Sequence, residues 1–187
     1  MLTERFDAAL AYARAAHSDQ TRKGTRVPYL SHLMAVSALV LEAGGDEDQA
    51  IAGLLHDTIE DAGATEVALA ERFGPRVARI VAECSDHSEG APKPGWKTRK
   101  DAYLESIATK SEDAVLVTAC DKLHNATAIL EDLRTAGPSV FARFTAGRDG
   151  TLWYYTELAR ALSTRRPGAL AERLARVVAD MRTEAAA

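Results

Sequence analysis

Apolar residues recur every three or four positions along most of the chain, which is the period of an amphipathic α-helix. In the first segment Leu2, Phe6, Leu10 and Ala13 follow this period and predict a helix. The run "AVLVTAC" is β-branched enough to suggest a strand, but it continues without a break into a helical pattern, so a helix is favoured. In all, the pattern predicts further helices over residues 31–45, 46–61, 66–73, 75–84, 97–110, 113–134, 148–162 and 169–182. The chain is therefore predicted to be all-α.

Turn and capping residues mark several of the helix ends. Ser31 is expected to be an N-cap, because its hydroxyl can accept a hydrogen bond from a free backbone N–H group. Gly44 and Gly45 are expected to end that helix. Thr65 is expected to cap the helix over 66–73, and Pro75 suits the first position of the next one.

A chain of 187 residues suits one domain and is long enough to bury a sizeable core. The segment "SDHSEGAPKPGWK", residues 85–97, is rich in Pro and Gly and is predicted to be a loop. The segment "STRRPGA", residues 163–169, is the clearest candidate joint. We expect one domain over 1–187, with its core in about 10–160 and a C-terminal helix over about 167–184 packed on that core.

Composition and charge exclude several classes of protein. Hydrophobic residues make up 47% and charged residues 27% of the chain, as in ordinary globular proteins. The formal net charge of −4 argues against nucleic-acid binding. No stretch of about 18 apolar residues is present, the N-terminus does not resemble a signal peptide, and the two cysteines have no CxxC spacing. We therefore expect a cytoplasmic protein with no membrane partner.

The stretch "LLHDTIED", residues 54–61, concentrates ionisable groups next to apolar ones. Carboxylates beside an apolar core are rare unless they are paired or bind a cation. On a continuous helix His56 and Glu60 share a face, as do Asp57 and Asp61, because residues four apart are neighbours. An imidazole and a carboxylate can bind a divalent cation, and two further acids remain available for proton transfer.

Two more residues fit a metal site with His56 and Asp57. His32 lies in the first turn of its predicted helix, and Asp121 follows the long apolar run ending in Cys120. Taken singly, His32 could be a hydrogen-bonded core residue, and Asp121 could pair with its neighbour Lys122. Taken together, two imidazoles and two carboxylates form a mixed donor set that suits Mn²⁺, Fe²⁺ or Zn²⁺. The joint pattern favours a metal site.

These residues and their motifs resemble a known family. "HDTIED", "FG" at 73–74, "DKLHN" and the early "AAH…RKG…PYLSH" are similar to the hydrolase domain of Rel/Spo-type alarmone enzymes, within the HD phosphohydrolase superfamily. The resemblance is closest to the single-domain small alarmone hydrolases and covers about residues 10–160. It implies a helical bundle with a metal site between helices. The implied reaction removes pyrophosphate from the 3′ position of (p)ppGpp and returns GDP or GTP.

The resemblance also implies roles for single residues. One Mn²⁺, or another divalent transition metal, would be held by His32, His56, Asp57 and Asp121, while Glu60 and Asp61 would orient or deprotonate the attacking water. The implied substrate contacts are Arg22, Lys23, Lys97, Arg99, Asn125, Arg148 and Tyr155, with Lys93 and Lys100 in the same basic loop as Lys97. His17, His87, His124 and Trp153 are expected to be packed or structural.

One departure from the family pattern keeps alternatives open. Long Rel-type enzymes carry an arginine and a threonine after the asparagine of "DKLHN", where this chain has Thr127 and Ala128. A broader HD phosphohydrolase acting on another phosphorylated nucleotide, such as NADPH, therefore remains an alternative. A non-catalytic nucleotide-binding module is a third hypothesis, which the intact ligands and the intact pair Glu60–Asp61 disfavour.

Overall fold

The computed structural model describes residues 1–85 and 94–186, and this part of the chain is helical, with no β-strand. The all-α prediction is confirmed. The α-helices in chain order are α1 Glu4–Ala16, α2 Leu30–Glu42, α3 Glu47–Leu55, α4 Thr58–Ala62, α5 Glu66–Phe73, α6 Pro75–Cys84, α7 Trp96–Ser106, α8 Glu112–Ala136, α9 Gly147–Arg165 and α10 Ala169–Glu184. A 3₁₀ helix over Gly137–Arg143, which the sequence pattern did not predict, lies between α8 and α9.

The contacts divide the chain into two compact units. The described residues of the first unit are 1–85 and 110–120, and those of the second are 94–109 and 121–186. The helix α8 is continuous and contributes residues to each unit. The expectation of a single domain over 1–187 stays a prediction. Most of the loop predicted over 85–97, with His87 and Lys93, lies outside the described residues.

The first unit has α3 at its centre. The helix α3 packs on α1, α2 and α6, and α5 packs on α6. Every residue of α3 from Ala50 to Leu55 is buried, because neighbouring helices cover it on several sides. Gly53 permits a close approach to α2: a Cβ atom there would lie 3.1 Å from the Cα atom of Ser37. The Ser37 hydroxyl donates a hydrogen bond to the carbonyl oxygen of Ala50 at 2.9 Å, which joins the same two helices.

An ion-pair network ties α6 to other parts of the first unit. Arg76 donates to Asp113 at the start of α8 at 2.8 Å and to Asp46, the N-cap of α3, at 2.6 Å. The Arg76 guanidinium lowers the pKa of the Asp113 carboxyl. Burial acts to raise the pKa of Asp46, but hydrogen bonds from Arg76 and from the backbone N–H of Gln49 lower it on balance. Both carboxyls are thus stabilised in their charged form.

The second unit is built on the pair α9 and α10. The buried faces of these helices carry Leu158 and Leu162 on α9 and Leu174 and Met181 on α10. The helix α7 also packs on α9. The ring of Trp96 lies against Gly150, where a Cβ atom would be 3.6 Å from the indole. The predicted C-terminal helix therefore exists and packs on α9.

Two details of the predicted helices are wrong. Ser31 is not an N-cap, since α2 begins at Leu30 and is preceded by Tyr29. The helix predicted over 46–61 is interrupted at His56 and Asp57, so that α3 and α4 are separate. The hydroxyl of Thr58 donates to the carbonyl oxygen of Leu55 at 2.7 Å. Side-chain donors of this kind compete with the backbone hydrogen bonds of a helix and favour its end.

Other predicted helix ends are confirmed. The Thr65 hydroxyl accepts a hydrogen bond from the backbone N–H of Ala68 at 3.2 Å and caps α5. Pro75 is the first residue of α6, and Gly44 has a positive φ of 85° just after α2. The run "AVLVTAC" lies within α8, so the helix interpretation of that segment is confirmed.

Candidate metal centre

Two histidines approach each other in the interior of the first unit. His32, in the first turn of α2, has no exposed surface, and His56, at the C-terminus of α3, is 3% exposed. Their ring centroids are 5.2 Å apart and the rings meet edge to face at 71°. The close approach of α2 and α3 at Gly53 places both imidazoles in this position. The predicted pairing of His32 with the "HD" doublet is therefore present in the structure.

Asp57 completes a cluster with the two histidines. Its Oδ2 atom lies 3.0 Å from Nε2 of His56 and 3.8 Å from Nε2 of His32. One ligand atom from each of the three residues lies within 4.8 Å of the other two. Two imidazole nitrogens and one carboxylate oxygen are donors that a divalent transition metal accepts. The donor set therefore fits a metal ion.

The orientation of His56 leaves its Nε2 atom directed at the cluster. Its Nδ1 atom lies 2.9 Å from the carbonyl oxygen of Gly53. A carbonyl oxygen only accepts, so Nδ1 carries a proton, and Nε2 is the nitrogen that a metal ion would bind in the neutral ring. This arrangement is typical of metal-binding histidines, whose second nitrogen donates to a backbone carbonyl or a carboxylate.

Tyr29 contacts the same carboxylate from the residue before α2. Its hydroxyl donates to Oδ2 of Asp57 at 2.5 Å, and its ring meets that of His32 edge to face at 5.4 Å. Sequence reasoning assigned Tyr29 no role, although it belongs to the motif "PYLSH". Its position three residues before His32 was the available signal.

The predicted acid–base pair lies in α4. Glu60 is partly exposed and Asp61 is exposed. The Nε2 atom of Gln20 donates to Oδ2 of Asp61 at 2.9 Å, and the Oε1 atom of Gln20 lies 2.5 Å from Nδ1 of His17. The regular helix is interrupted at His56 and Asp57, although the backbone N–H of Asp61 still donates to the carbonyl oxygen of Asp57 at 2.8 Å, so the shared face of His56 and Glu60 stays a prediction.

Asp121, the predicted fourth ligand, belongs to the second unit. Its Oδ2 atom lies 2.6 Å from Nζ of Lys122, and its Oδ1 atom accepts from Nδ2 of Asn125 at 2.5 Å. Burial acts to lower the pKa of Lys122, but Asp121, with Tyr103 and Tyr154, raises it on balance. The pairing with Lys122 that the sequence allowed is thus present, and metal binding by Asp121 stays a prediction.

The predicted substrate contacts lie on both units. In the first, Lys23 is exposed and Arg22 lies 5.8 Å over the ring of Tyr29. In the second, Nζ of Lys97 lies 3.9 Å from the ring centroid of Trp153. The remaining ones are the partly exposed Arg99 and Asn125, the exposed Arg148 and the buried Tyr155. Their roles stay predictions.

Known proteins are similar to this chain over most of its length. The model of the family described as "HD domain" matches residues 9–152. A guanosine-3′,5′-bis(diphosphate) 3′-pyrophosphohydrolase of Aquifex aeolicus is 36% identical over 65% of the chain, which spans only 17% of that longer protein. The protein MESH1 of Xenopus tropicalis, of the same enzyme name, is 36% identical over 70% of each chain. A solved structure of a metazoan ortholog of SpoT that hydrolyses ppGpp has a TM-score of 0.79 and 29% identity, covering 97% of each chain.

Proposed function

The chain belongs to the HD-domain family, and we propose that it is a metal-dependent hydrolase that removes pyrophosphate from the 3′ position of (p)ppGpp. The products are GDP or GTP. The observation that carries the proposal is the convergence of His32, His56 and Asp57, whose ligand atoms lie within 4.8 Å of one another. The similarity to a metazoan ortholog of SpoT that hydrolyses ppGpp supports the choice of substrate.

We assign metal binding and proton transfer in the hydrolysis to separate residues of this chain. His32, His56 and Asp57 hold the metal, and Asp121 is the fourth ligand expected from the sequence. A divalent ion bound there would supply Lewis acidity to the phosphoryl oxygens and would lower the pKa of its bound water. Glu60 and Asp61 orient the attacking water and accept its proton.

The basic residues supply counter-charge to a highly anionic substrate. We assign this role first to Lys23 and Arg22, then to Lys97 and Arg99. Arg148, Asn125 and Tyr155 are further contacts to the nucleotide. Within the described residues no helix is long and apolar enough to cross a membrane. We propose that the enzyme is cytoplasmic and uses Mn²⁺, and that its partner is a small nucleotide rather than a nucleic acid or a membrane.

A second function is supported by the departure after Asn125. The hydroxyl of Thr127 donates to the carbonyl oxygen of Leu123 in its own helix at 2.8 Å. A hydroxyl engaged in this way, followed by the small Ala128, offers little to a guanine base. A broader HD phosphohydrolase acting on another phosphorylated nucleotide, such as NADPH, is therefore the second candidate.

The test is a substrate panel with a metal control. Product release from ppGpp, pppGpp, NADPH and simple nucleoside phosphates is measured with Mn²⁺ and with a chelator. We expect Mn²⁺-dependent conversion of ppGpp to GDP and pyrophosphate well above the other reactions. Faster release of phosphate from NADPH would overturn the alarmone assignment and retain the metal chemistry. Binding of ppGpp without any turnover would indicate the non-catalytic module instead.

A further inference from the structure

The segment between α1 and α2 carries two side chains that contact acidic residues of the site: Gln20 contacts Asp61 and Tyr29 contacts Asp57. Its backbone folds back on itself: the backbone N–H of Tyr29 donates to the carbonyl oxygen of Gln20 at 2.9 Å, and Thr21 and Pro28 form an isolated bridge. The N–H of Gln20 in turn donates to the carbonyl oxygen of His17 at 3.1 Å. Gln20 and Tyr29 are thus held side by side at the base of this loop.

The two side chains bind different carboxylates. The hydroxyl of Tyr29 donates to Oδ2 of Asp57, the oxygen that faces His32 and His56. The amide of Gln20 donates to Oδ2 of Asp61. One pair of backbone-linked residues therefore contacts a metal ligand on one side and a residue of the proposed acid–base pair on the other.

His17 fixes the amide of Gln20 in the orientation that this contact requires. Its ring is 4% exposed, and its Nδ1 atom lies 2.5 Å from Oε1 of Gln20. An amide oxygen only accepts, so Nδ1 of His17 donates and the NH₂ group of Gln20 is directed at Asp61. The ring centroid of His17 lies 5.3 Å from that of Tyr29, so the residue that holds Gln20 also packs against Tyr29.

We propose that Gln20 and Tyr29 are positioning residues. Tyr29 positions the metal ligand Asp57, and Gln20, which is itself held by His17, positions Asp61. The proposal rests on the function proposed above, and it assigns one of these residues to metal binding and the other to turnover. A donor to a ligating carboxylate orients that ligand, so loss of the Tyr29 hydroxyl weakens metal binding. Loss of the Gln20 amide leaves the three ligands in place, so the effect is on turnover instead.

Loss of the Tyr29 hydroxyl and loss of the Gln20 amide are expected to change different quantities, the Mn²⁺ affinity in the first case and kcat in the second. Tyr29→Phe is expected to weaken Mn²⁺ binding by about tenfold, since outer-shell partners contribute about ten- to a hundredfold to metal affinity or activity. Gln20→Ala is expected to lower kcat by about tenfold or more at saturating Mn²⁺, with KM and the Mn²⁺ affinity within about twofold of wild type. The matched control is Asp19→Asn, an exposed change on the same loop, which is expected to alter neither.

The experiment combines Mn²⁺ titration of the metal-free chain with a double-mutant cycle. If Gln20 acts through Asp61, adding Gln20→Ala to Asp61→Asn lowers kcat no further. Turnover is measured with whichever nucleotide the wild-type chain hydrolyses, so loss of the alarmone assignment leaves the test intact. A fully additive cycle would overturn the role of Gln20, and wild-type Mn²⁺ affinity in Tyr29→Phe would overturn that of Tyr29.

A second readout needs no turnover. The ¹H–¹⁵N signals of the Gln20 side-chain amide report its contacts in this chain. We expect them to shift in both His17→Ala and Asp61→Asn, and to remain unchanged in Asp19→Asn. Unchanged signals in both of the first two variants would overturn the contact, even if the wild-type chain proved inactive towards every nucleotide.

Discussion

His56 donates a hydrogen bond from Nδ1 to the carbonyl oxygen of Gly53, three residues earlier, at 2.9 Å. Gly53 also lies against α2, where a Cβ atom would be 3.1 Å from the Cα atom of Ser37. The same residue therefore accepts from the imidazole of His56 and lies against α2, the helix that carries His32. The geometry of the candidate metal centre depends on a position that has no side chain.

Substitution of Gly53 by alanine is expected to disturb both fold and metal site. The added Cβ atom would lie 3.1 Å from the Cα atom of Ser37, which is tighter than most Cβ contacts, so the backbone of α2 has to move by a few tenths of an ångström. We expect a loss of about 1–3 kcal/mol in the free energy of unfolding, as for other overpacked cores, and weaker Mn²⁺ binding. Thermal unfolding and Mn²⁺ titration check these effects. Gly95→Ala is the matched control, because nothing lies within 4 Å of the new atom and its φ is negative.

Asp57 and Glu60 are expected to respond differently to removal of the carboxylate. Asp57→Ala should abolish both Mn²⁺ binding and turnover, because it removes a ligand, while circular dichroism remains helical. Glu60→Gln should retain the metal and lower kcat by about a hundredfold or more, as expected for loss of acid–base catalysis. Metal content and kcat measured on the same preparations separate the two. Equal loss of metal in Glu60→Gln would make Glu60 a ligand.

Asp121 has two possible roles that one pair of variants separates. As a metal ligand, Asp121→Asn weakens Mn²⁺ binding, since a neutral amide is a poorer donor than a carboxylate. As the partner of Lys122, the same change removes the carboxylate that pairs with a largely buried ammonium and destabilises the fold by about 1–3 kcal/mol. Lys122→Met removes the ammonium and serves as the comparison. Unchanged Mn²⁺ affinity in Asp121→Asn would rule out the ligand role.

The substrate contact assigned to Lys23 predicts a change in KM. Removing one positive charge that faces a polyanionic substrate should raise KM by about tenfold, the equivalent of about 1.4 kcal/mol, with a smaller effect on kcat. Steady-state kinetics of Lys23→Ala at low ionic strength test this. Arg26→Ala is the control, because Arg26 is also exposed on the same loop. Equal effects of the two variants would indicate general electrostatic attraction instead of a specific contact.

The network around Arg76 predicts how stability depends on pH. The pKa of Asp113 is lowered in the folded chain, so its contribution is fully present above the ordinary value of 3.8. That contribution is lost as the pH falls from about 4 through the folded pKa. We expect Arg76→Gln to reduce the free energy of unfolding at pH 7 by on the order of 1 kcal/mol, a modest loss because Arg76 is partly exposed. The difference is expected to be smaller at pH 2, because Asp113 is then largely protonated. Chemical denaturation at both pH values tests this, with Arg160→Gln, in a highly exposed ion pair, as the control.

The period of apolar residues was sufficient to predict the helical fold. Such a period reports which face of a segment is buried, so it located α1, α5, α6 and α8 with few errors at their ends. It did not reveal the interruption at His56 and Asp57. That interruption depends on side chains that donate to the carbonyls of Gly53 and Leu55, and apolar periodicity carries no information on such bonds.

The sequence by itself determined the all-α class and, through its motifs, the set of imidazoles and carboxylates from which a metal site can be built. Only the tertiary structure decided which of these groups meet, since His32 and His56 lie on different helices whose approach depends on Gly53. It also decided the roles open to Gln20 and Tyr29. Contacts across a loop have no period in the sequence, because the path of the backbone, and not residue spacing, brings their donors to Asp61 and Asp57.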